Sequence, residues 1–410
     1  MVMATVRPFR ALRPVQDKAD RVSSVPYDVV TTKEARTLAE GNPLSFLHVI
    51  RPEIDLPDST DPYSDEVYRK AKENLSSLVR SDILFQEEEY CFYIYRIQAG
   101  IHEQTGLACC CSVSEYDSDI IRKHEHTRRE KEDDRLRHML TLSAHAGPVL
   151  MTYRAQQKTE TLLEQSTKGS PIYDFLAEDG VRHTIWREPE LPSISLSFRE
   201  VPLLYIADGH HRAAGASRVR RAAVEKNPGL REEEELNFFL AVLFPSNQLR
   251  ILPYNRYVAD LNGLDGKRFL EKVKQRFEVS ETGSPVPEKR RQYCMYLEGK
   301  WYLLIPRADT EVSSSDPVSS LDLSLFQEKL LGPVLGIIDQ KNDTRIDFIG
   351  GEGSTEKLAL RVDQEGGVAF SFFPVSVEEL LAVADAHMIM PPKSTWFSPK
   401  LRSGLLIHRF

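Results

Sequence analysis

The sequence predicts a mixed α/β fold of the α+β class, because stretches with helical and strand-like patterns alternate along its 410 residues. Apolar residues recur at a helical spacing in 65–84 and again in 376–387. The stretches 89–99 and 106–116 are instead rich in consecutive apolar residues, which is typical of paired strands. Neither pattern dominates, so an all-helical or all-strand protein is not expected.

Composition and charge restrict the class of protein. Hydrophobic residues make up 41% and charged residues 28% of the chain, as in ordinary globular proteins. A net charge of -8 argues against broad binding of nucleic-acid phosphates. No apolar run approaches the roughly 20 residues that span a bilayer, and the N-terminus lacks the apolar stretch of a secretory signal. We therefore expect a cytoplasmic protein with no nucleic-acid or membrane partner.

The first of two expected regions, residues 1–255, begins with turn-rich sequence. Thr31 or Thr32 is expected to cap a short helix that ends near Gly41. The further elements predicted in this region are helices in 65–84, 128–145, 160–166 and 212–227, and strands in 89–99, 106–116, 148–154, 203–207 and 237–245. The charged run 229–236 is expected to be a surface loop.

The second expected region, residues 256–410, repeats the mixture of helices and strands. It is expected to contain a helix in 266–277, a hairpin around Gly299, and a final helix in 376–387. A serine-rich stretch, 308–320, is expected to connect its two halves.

The five cysteines are expected to be reduced and structural. Cys109, Cys110 and Cys111 are consecutive in a predicted strand, where neighbouring side chains point to opposite faces. They cannot therefore form a compact thiolate cage for a metal ion. No C-x-x-C pair accompanies them or the remaining Cys91 and Cys294, so a reducing compartment is expected.

The most informative motif is "LLYIADGHHR", residues 203–212. It places Asp208 directly after an apolar strand and Gly209 where a tight turn and close approach of a ligand are allowed. The next residues open a helix, whose first N–H groups and dipole favour an anion. Arg212 can add a bidentate contact to a phosphate. The motif therefore predicts an anion or nucleotide site, and the alternative is a strand-to-helix turn with surface histidines.

The longer stretch "YIADGHHRAAGA" resembles the signature of the ParB/sulfiredoxin superfamily, and within it most resembles the free-serine kinases. The resemblance implies a ParB/sulfiredoxin-like nucleotide-binding core, with Gly209, His210, His211 and Arg212 at the nucleotide. The additional mixed α/β C-terminal region would complete the substrate site. Histidines stand where sulfiredoxin has its catalytic cysteine, and the arginine-rich box of ParB partition proteins is missing.

A His-Glu pair lies upstream of this motif in the serine kinases, and the matching residues here are His124 and Glu125. The resemblance implies that Glu125 is the catalytic base, assisted by His124, and that Asp208 positions a histidine, a magnesium ion or the substrate hydroxyl. A carboxylate suits this role because a phosphorylated hydroxyl must lose its proton. The alternative for the charged residues that follow, 129–137, is a structural role as an exposed helix with ion pairs.

The C-terminal stretch "MIMPPKSTWFSPKLRSGL", residues 388–405, resembles the terminal segment of the serine kinases. The resemblance implies that Lys393, Ser394 and Thr395 bind the acceptor. The alternative is a terminal strand and turn that pack Trp396 and Phe397.

The segments "VPYDVV" and "DQKNDTRIDFIGG" resemble recurring features of a longer bacterial family of uncharacterised proteins. Asp28, Arg345 and Asp347 in these segments are additional candidates for a pocket.

These observations predict a small-molecule kinase that uses Mg²⁺ with ATP or ADP and phosphorylates free serine or a related hydroxyl metabolite. Two other classes remain open: a non-catalytic nucleotide-binding regulator, and a metal-dependent phosphatase or hydrolase whose ligands could come from His124, Glu125, His126, His210 and His211. No metal ligands are assigned, because adjacent histidines do not normally chelate one ion well and no H-E-x-x-H helix is present.

Overall fold

A computed structural model of the chain describes residues 4–189, 192–307 and 316–410, and most of the predicted connection at 308–320 lies outside them. The described strands are β1 Val6–Arg7, β2 Ala11–Pro14, β3 Leu84–Gln86, β4 Cys91–Ala99, β5 His102–Ser112, β6 Ile121–Arg122, β7 Ala144–His145, β8 Val149–Tyr153, β9 Tyr173–Leu176, β10 Val181–Pro189, β11 Leu204–Asp208, β12 Phe238–Pro245, β13 Ile251–Leu252, β14 Tyr254–Val258, β15 Phe277–Glu281, β16 Tyr293–Leu297, β17 Lys300–Pro306, β18 Ile346–Gly350, β19 Val368–Phe372, β20 Trp396–Phe397 and β21 Ile407–Arg409.

The described α-helices are α1 Ala19–Val22, α2 Thr32–Ala39, α3 Leu47–Ile50, α4 Asp65–Arg80, α5 Val113–Asp117, α6 Arg129–Leu142, α7 Gln157–Ser166, α8 Pro192–Phe198, α9 His210–Lys226, α10 Gly266–Lys274, α11 Asp322–Phe326, α12 Ser354–Glu365 and α13 Val377–Asp385. The predicted mixed α/β class is confirmed. The predicted cap is Thr31, whose hydroxyl and backbone exchange hydrogen bonds with Glu34 in a capping box.

The chain forms two compact units, one made of Met1–Leu249 with Pro399–Phe410 and the other of Arg250–Ser398. This division differs from the expected regions 1–255 and 256–410, because the last residues of the chain fold with the N-terminal unit. Sequence patterns do not show such an assignment, since it depends on contacts between distant parts of the chain.

The first unit is built on a mixed nine-stranded sheet with the order β6-β11-β8-β12-β5-β4-β10-β9, in which β1 also pairs with β5. β8 and β12 run parallel, as do β6 and β11, and the other pairs are antiparallel. The strand β11, which precedes the D-G-H-H-R motif, lies between β6 and β8. The motif therefore leaves a strand that has neighbours on both sides.

The consecutive cysteines lie in β5 and are fully buried. Cys109 and Cys111 share one face, with their sulfur atoms 3.9 Å apart, and both belong to the main hydrophobic core. Cys110 points to the other face, as the alternation of strand side chains requires. Burial raises the pKa values of the Cys109 and Cys110 thiols well above their usual range, which keeps them neutral.

A four-stranded sheet with the order β3-β2-β21-β7 lies in the same unit and incorporates the end of the chain. Each strand contributes one residue to a second hydrophobic core: Leu84, Leu12, Ile407 and Ala144. Just before β21, the backbone groups of Ser403 and Ser24 bond to each other. The segment 399–410 is therefore a structural part of the first unit.

In the charged run 229–236, Gly229 and residues 231–233 are exposed, as expected of a surface loop, whereas Leu230 and residues 234–236 are half-buried. The Glu235 carboxylate is half-buried and lies 2.7 Å from the Nε2 atom of His408, and it also pairs with Arg7. Glu235 thus gives the run a fixed attachment to the chain terminus.

The second unit contains a six-stranded antiparallel sheet with the order β15-β17-β16-β19-β14-β18 and a small β13-β20 pair. The hairpin predicted around Gly299 is confirmed as β16 and β17. Residues of α12, including Leu358 and Val362, pack against Tyr257 and Tyr296 of the sheet. No helix within the described residues is long and apolar enough to cross a membrane.

Gly404 is expected to be essential for docking of the C-terminal segment. Its φ is +88°, and an added Cβ would lie 2.7 Å from Cβ and Cγ of the buried Phe46. Gly404→Ala should lower the free energy of unfolding by about 2–4 kcal/mol, because left-handed backbone and overpacking are both costly. Urea unfolding followed by circular dichroism measures this change.

Gly100→Ala is the matched control, since Gly100 also has a positive φ of +58° but no atom within 4 Å of an added Cβ. It should cost only about 1–2 kcal/mol. Equal losses in the two variants would contradict the role assigned to the contact with Phe46.

Candidate nucleotide and phosphate site

The D-G-H-H-R motif forms a strand–turn–helix in the first unit. The strand β11 ends at Asp208, Gly209 adopts left-handed backbone with φ 96° and ψ 28°, and α9 begins at His210. An added Cβ on Gly209 would lie 3.0 Å from the Nε atom of Arg212, so both conformation and space favour glycine. A 17-residue helix therefore begins just after the buried strand, and its N-terminus lies at the turn.

Arg212 lies beneath this turn and is only 7% exposed. Its Nη1 donates to the carbonyl of Pro148, and its Nη2 lies 3.8 Å from the Asp28 carboxylate. Its Nε atom is buried and has no hydrogen-bond partner within the described part of the chain. Arg212 is therefore a structural cation of the turn as well as a potential ligand for an anion.

A small cavity of about 20 Å³ adjoins the Arg212 side chain. Tyr27, Arg135 and Ser403 contribute to its lining, and the Arg135 guanidinium lies 3.8 Å from the centroid of the Tyr27 ring. A space of this size holds roughly one water molecule. Arg135 is therefore a second cation close to Arg212.

Asp208 is paired with Lys400, a residue that the sequence did not single out. The Lys400 ammonium donates to the Asp208 carboxylate at 2.7 Å, and both side chains are largely buried. Burial alone would raise the pKa of Asp208, but the charges of Lys400 and Arg212 hold that pKa well below its usual range. Asp208 is therefore an anion held between two cations.

His124, Glu125 and His210 form a cluster at the same turn. The His124 and His210 rings meet edge to face with centroids 4.5 Å apart. Glu125 places a carboxylate oxygen 3.9 Å from Nδ1 of His210, and its side chain is 40% exposed. The structure thus brings together two motifs that are widely separated in the sequence.

Both histidine rings of this cluster are neutral at physiological pH. Burial lowers the pKa of His124 to about 3, with a further contribution from His210. Burial likewise lowers the pKa of His210 to about 3. Neither ring therefore acts as a standing positive charge for a phosphate.

His211 contacts the same loop from the other side of the helix start. Its Nε2 atom accepts a hydrogen bond from the Arg128 backbone N–H at 3.1 Å. The loop 123–128 continues into α6, which packs closely on α9 because Gly215 leaves only 3.1 Å between a potential Cβ and the Cβ of Arg135. The charged helix predicted at 129–137 therefore supports the turn as well as facing solvent.

Lys393, Ser394 and Thr395 belong to the second unit. The Lys393 ammonium lies 5.3 Å from the Tyr254 ring centroid, and the Ser394 hydroxyl donates to the carbonyl of Pro391 at 2.6 Å. The fully buried Arg256 holds the preceding turn by donating to the carbonyl of Pro392. Ser394 thus has a hydrogen bond within its own loop.

The remaining candidates in the second unit are engaged in ion pairs. Arg345 pairs with Asp343, and Asp347 pairs with Arg361. Asp28, in the first unit, is the candidate from that set that lies near the turn.

The sequence matches a family model described as "Protein of unknown function (DUF1015)" over residues 6–324. The chain therefore belongs to the DUF1015 family. No curated protein matches it.

Three solved structures are similar to the chain at a distant level. A free serine kinase in complex with AMP is 12% identical, with a TM-score of 0.35 and coverage of 70% of this chain and 89% of that one. SbnI with C-terminal truncation from Staphylococcus aureus is 13% identical, with a TM-score of 0.36 and coverage of 73% and 87%. A conserved hypothetical protein from Pyrococcus furiosus is 15% identical, with a TM-score of 0.33 and coverage of 70% and 93%.

The Asp208–Lys400 pair predicts a pH-dependent effect of Lys400→Met. At pH 7 the variant should lose about 1–2 kcal/mol of unfolding free energy, because a largely buried carboxylate loses a charged donor. The folded-state pKa of Asp208 is lowered, so its pairing stabilises the protein above the unfolded-state value of about 3.9 and is lost as pH falls through the folded-state pKa. The difference from wild type should therefore narrow only below about pH 4.

Unfolding curves collected between neutral and acidic pH measure this dependence. Lys168→Met removes an exposed lysine of the same unit and should leave stability nearly unchanged at every pH. A Lys400→Met penalty that is constant down to the acid limit would mean that packing, and not the charge of Asp208, accounts for it.

Proposed function

We propose that the protein is a nucleotide-dependent kinase that phosphorylates free serine or a related small hydroxylated metabolite. In this proposal the first unit contains a ParB/sulfiredoxin-like core. Gly209, His210, His211 and Arg212 hold the nucleotide phosphates, while Glu125 accepts the proton of the acceptor hydroxyl.

The proposal rests on one observation: a partly exposed carboxylate lies beside the start of a helix that follows a glycine turn. Glu125 is 3.9 Å from His210, the first residue of α9. A phosphoryl group at the helix start would have the proposed base within reach of an incoming hydroxyl. Glu125 is also exposed enough to meet a substrate, unlike the buried His124.

The turn has the properties that phosphate groups require. The first N–H groups of a helix lack intrahelical partners, and Gly209 lets a ligand approach the backbone closely. The buried Nε atom of Arg212 has no hydrogen-bond partner within the described residues. These features fit the phosphate part of ATP or ADP. When bound, the nucleotide would supply the phosphoryl group.

A magnesium ion would accompany such a nucleotide and prefers carboxylate oxygens together with phosphates. Asp208 and Glu125 are two carboxylates near the helix start. Because Asp208 stays ionised beside Lys400, it suits this role or that of orienting the acceptor hydroxyl.

The proposal also assigns acceptor binding to Lys393, Ser394 and Thr395. This role is tested separately from nucleotide binding. Lys393 and Thr395 are partly exposed, whereas Ser394 is buried. A contribution of the C-terminal region to the substrate site predicts that Thr395→Val raises the KM for the acceptor without changing nucleotide affinity. A separate nucleotide titration distinguishes the two effects.

Glu125→Gln tests the proposed base. The amide keeps the size of the side chain but cannot accept the hydroxyl proton, so turnover should fall by about 10²–10⁴-fold. Nucleotide affinity should change by no more than a few fold, because the proposed base faces the acceptor. The measurement combines Mg²⁺, ATP or ADP and a panel of hydroxylated metabolites with mass-spectrometric detection of phosphorylated products.

Glu130→Gln is the matched control, since Glu130 is an exposed glutamate at the start of the neighbouring helix α6. It should retain wild-type turnover. If wild type phosphorylates a metabolite and Glu125→Gln does so equally well, Glu125 is not the base.

Arg212→Ala tests the phosphate site. Nucleotide binding should weaken by about 1.5–3 kcal/mol, the scale of a charged hydrogen bond. Stability should also fall, because the guanidinium is buried and bonded to the Pro148 carbonyl. Calorimetric titration with ADP, at a temperature where the variant is folded, measures the affinity.

Arg218→Ala provides the comparison, because Arg218 is also on α9 but pairs with Glu132 and Asp133 of α6. It should keep the wild-type affinity for ADP. Equal affinity in wild type and folded Arg212→Ala would remove the arginine from the phosphate site.

A further inference from the structure

The cluster of His124, Glu125 and His210 has a second chemical property besides its proximity to the helix start. One potential ligand atom from each residue lies within 4.8 Å of the other two. A tetrahedral ion with bonds of about 2.0–2.1 Å spaces its ligand atoms by about 3.4 Å. The three atoms would therefore have to approach one another by up to about 1.4 Å to share one coordination sphere.

The His124 ring gives independent support for a ligand. Both of its nitrogen atoms are buried, and its polar neighbour is the Ile206 backbone, so at least one ring nitrogen has no hydrogen-bond partner within the described residues. Leaving a buried polar group without a partner is destabilising. A metal ion bound to one of these nitrogens would satisfy an atom that the protein itself leaves unsatisfied.

The ligand set also specifies the class of ion. Two imidazoles and one carboxylate suit Zn²⁺, Co²⁺ or Mn²⁺, whereas Mg²⁺ prefers oxygen ligands. The partial exposure of Glu125 leaves one side of such an ion open to water or a substrate oxygen.

We propose that His124, Glu125 and His210 form a binding site for a divalent transition-metal ion. These ligands suit Zn²⁺ well. The site is distinct in chemistry from a Mg²⁺–nucleotide site, because two of its three ligands are nitrogen atoms. It is placed where the loop after β6 meets the first residue of α9.

Binding of such an ion has a consequence that rests on the proposed function. The metal would occupy the Glu125 carboxylate, which could then no longer accept a proton from the acceptor. Zn²⁺ would therefore inhibit phosphoryl transfer at saturating Mg²⁺–nucleotide, and additional Mg²⁺ would not relieve the inhibition.

Titration of the chelator-treated full-length protein with Co²⁺ tests the site without any need for turnover. One equivalent should bind and give the visible absorption bands of a four- or five-coordinate ion, and Zn²⁺ should displace it. A large excess of Mg²⁺ should leave the bands unchanged. Absence of these bands, with no stoichiometric Zn²⁺ binding by calorimetry, would overturn the proposal.

Two variants test proposed ligands, and a third variant serves as their control. Glu125→Gln and His210→Gln should each weaken Co²⁺ binding at least tenfold, with folding checked by circular dichroism. If the variant of the buried His210 fails to fold, Co²⁺ binding by Glu125→Gln alone tests the proposed site. His126→Gln alters an exposed neighbouring histidine outside the cluster and should bind as wild type does. Loss of binding in His126→Gln, together with normal binding in Glu125→Gln, would assign the metal to a surface histidine and refute the proposed site.

The two proposals fail separately. Stoichiometric Co²⁺ binding that depends on Glu125, in a protein that transfers no phosphoryl group, supports the metal site and contradicts the kinase. Phosphoryl transfer that is insensitive to Zn²⁺, in a protein that binds no Co²⁺, supports the kinase and contradicts the metal site.

Discussion

The first unit depends on keeping a carboxylate ionised at the end of a buried strand. Asp208 ends β11 where its charge is costly unless cations are near, and Lys400 and Arg212 provide them. Lys400 is distant in sequence, so this requirement holds the C-terminal segment against the turn. The same segment continues into β21, whose hydrogen bonds to β2 and β7 fix its position. The turn, the terminal segment and the small sheet therefore form one mutually dependent arrangement.

The two histidines at the turn differ in charge from the ionised residues around them. His124 and His210 are buried and neutral, and they pack against each other through an edge-to-face contact. Positive charge comes instead from Arg212 and Lys400. The site therefore combines charged side chains with two uncharged imidazole rings. Both proposals, an anion site at the helix start and a metal site beside it, depend on this combination.

The features that could be predicted from the sequence are those that depend on neighbouring residues. The cap at Thr31, the strand before Asp208, and the need for glycine at position 209 each depend on a few neighbouring residues. Lys400 was missed because its partner is 192 residues away, and no local pattern marks an ion pair over that distance. The burial of Arg212 was missed for the same reason, since it is set by Pro148 and Asp28. Assignment of the chain terminus to the first unit also depends on such distant contacts.

The residues of the D-G-H-H-R motif carry structural as well as proposed chemical roles, and this determines which of them are informative. Asp208, His210 and Arg212 are each tied to the fold by an ion pair, a ring contact or a buried hydrogen bond. Removing any of them disturbs packing together with ligand binding. Glu125 is different, because its side chain is 40% exposed and its contact with His210 is 3.9 Å long. Its carboxylate is therefore the group whose removal tests both the proposed proton transfer and the proposed metal site with little expected change in stability.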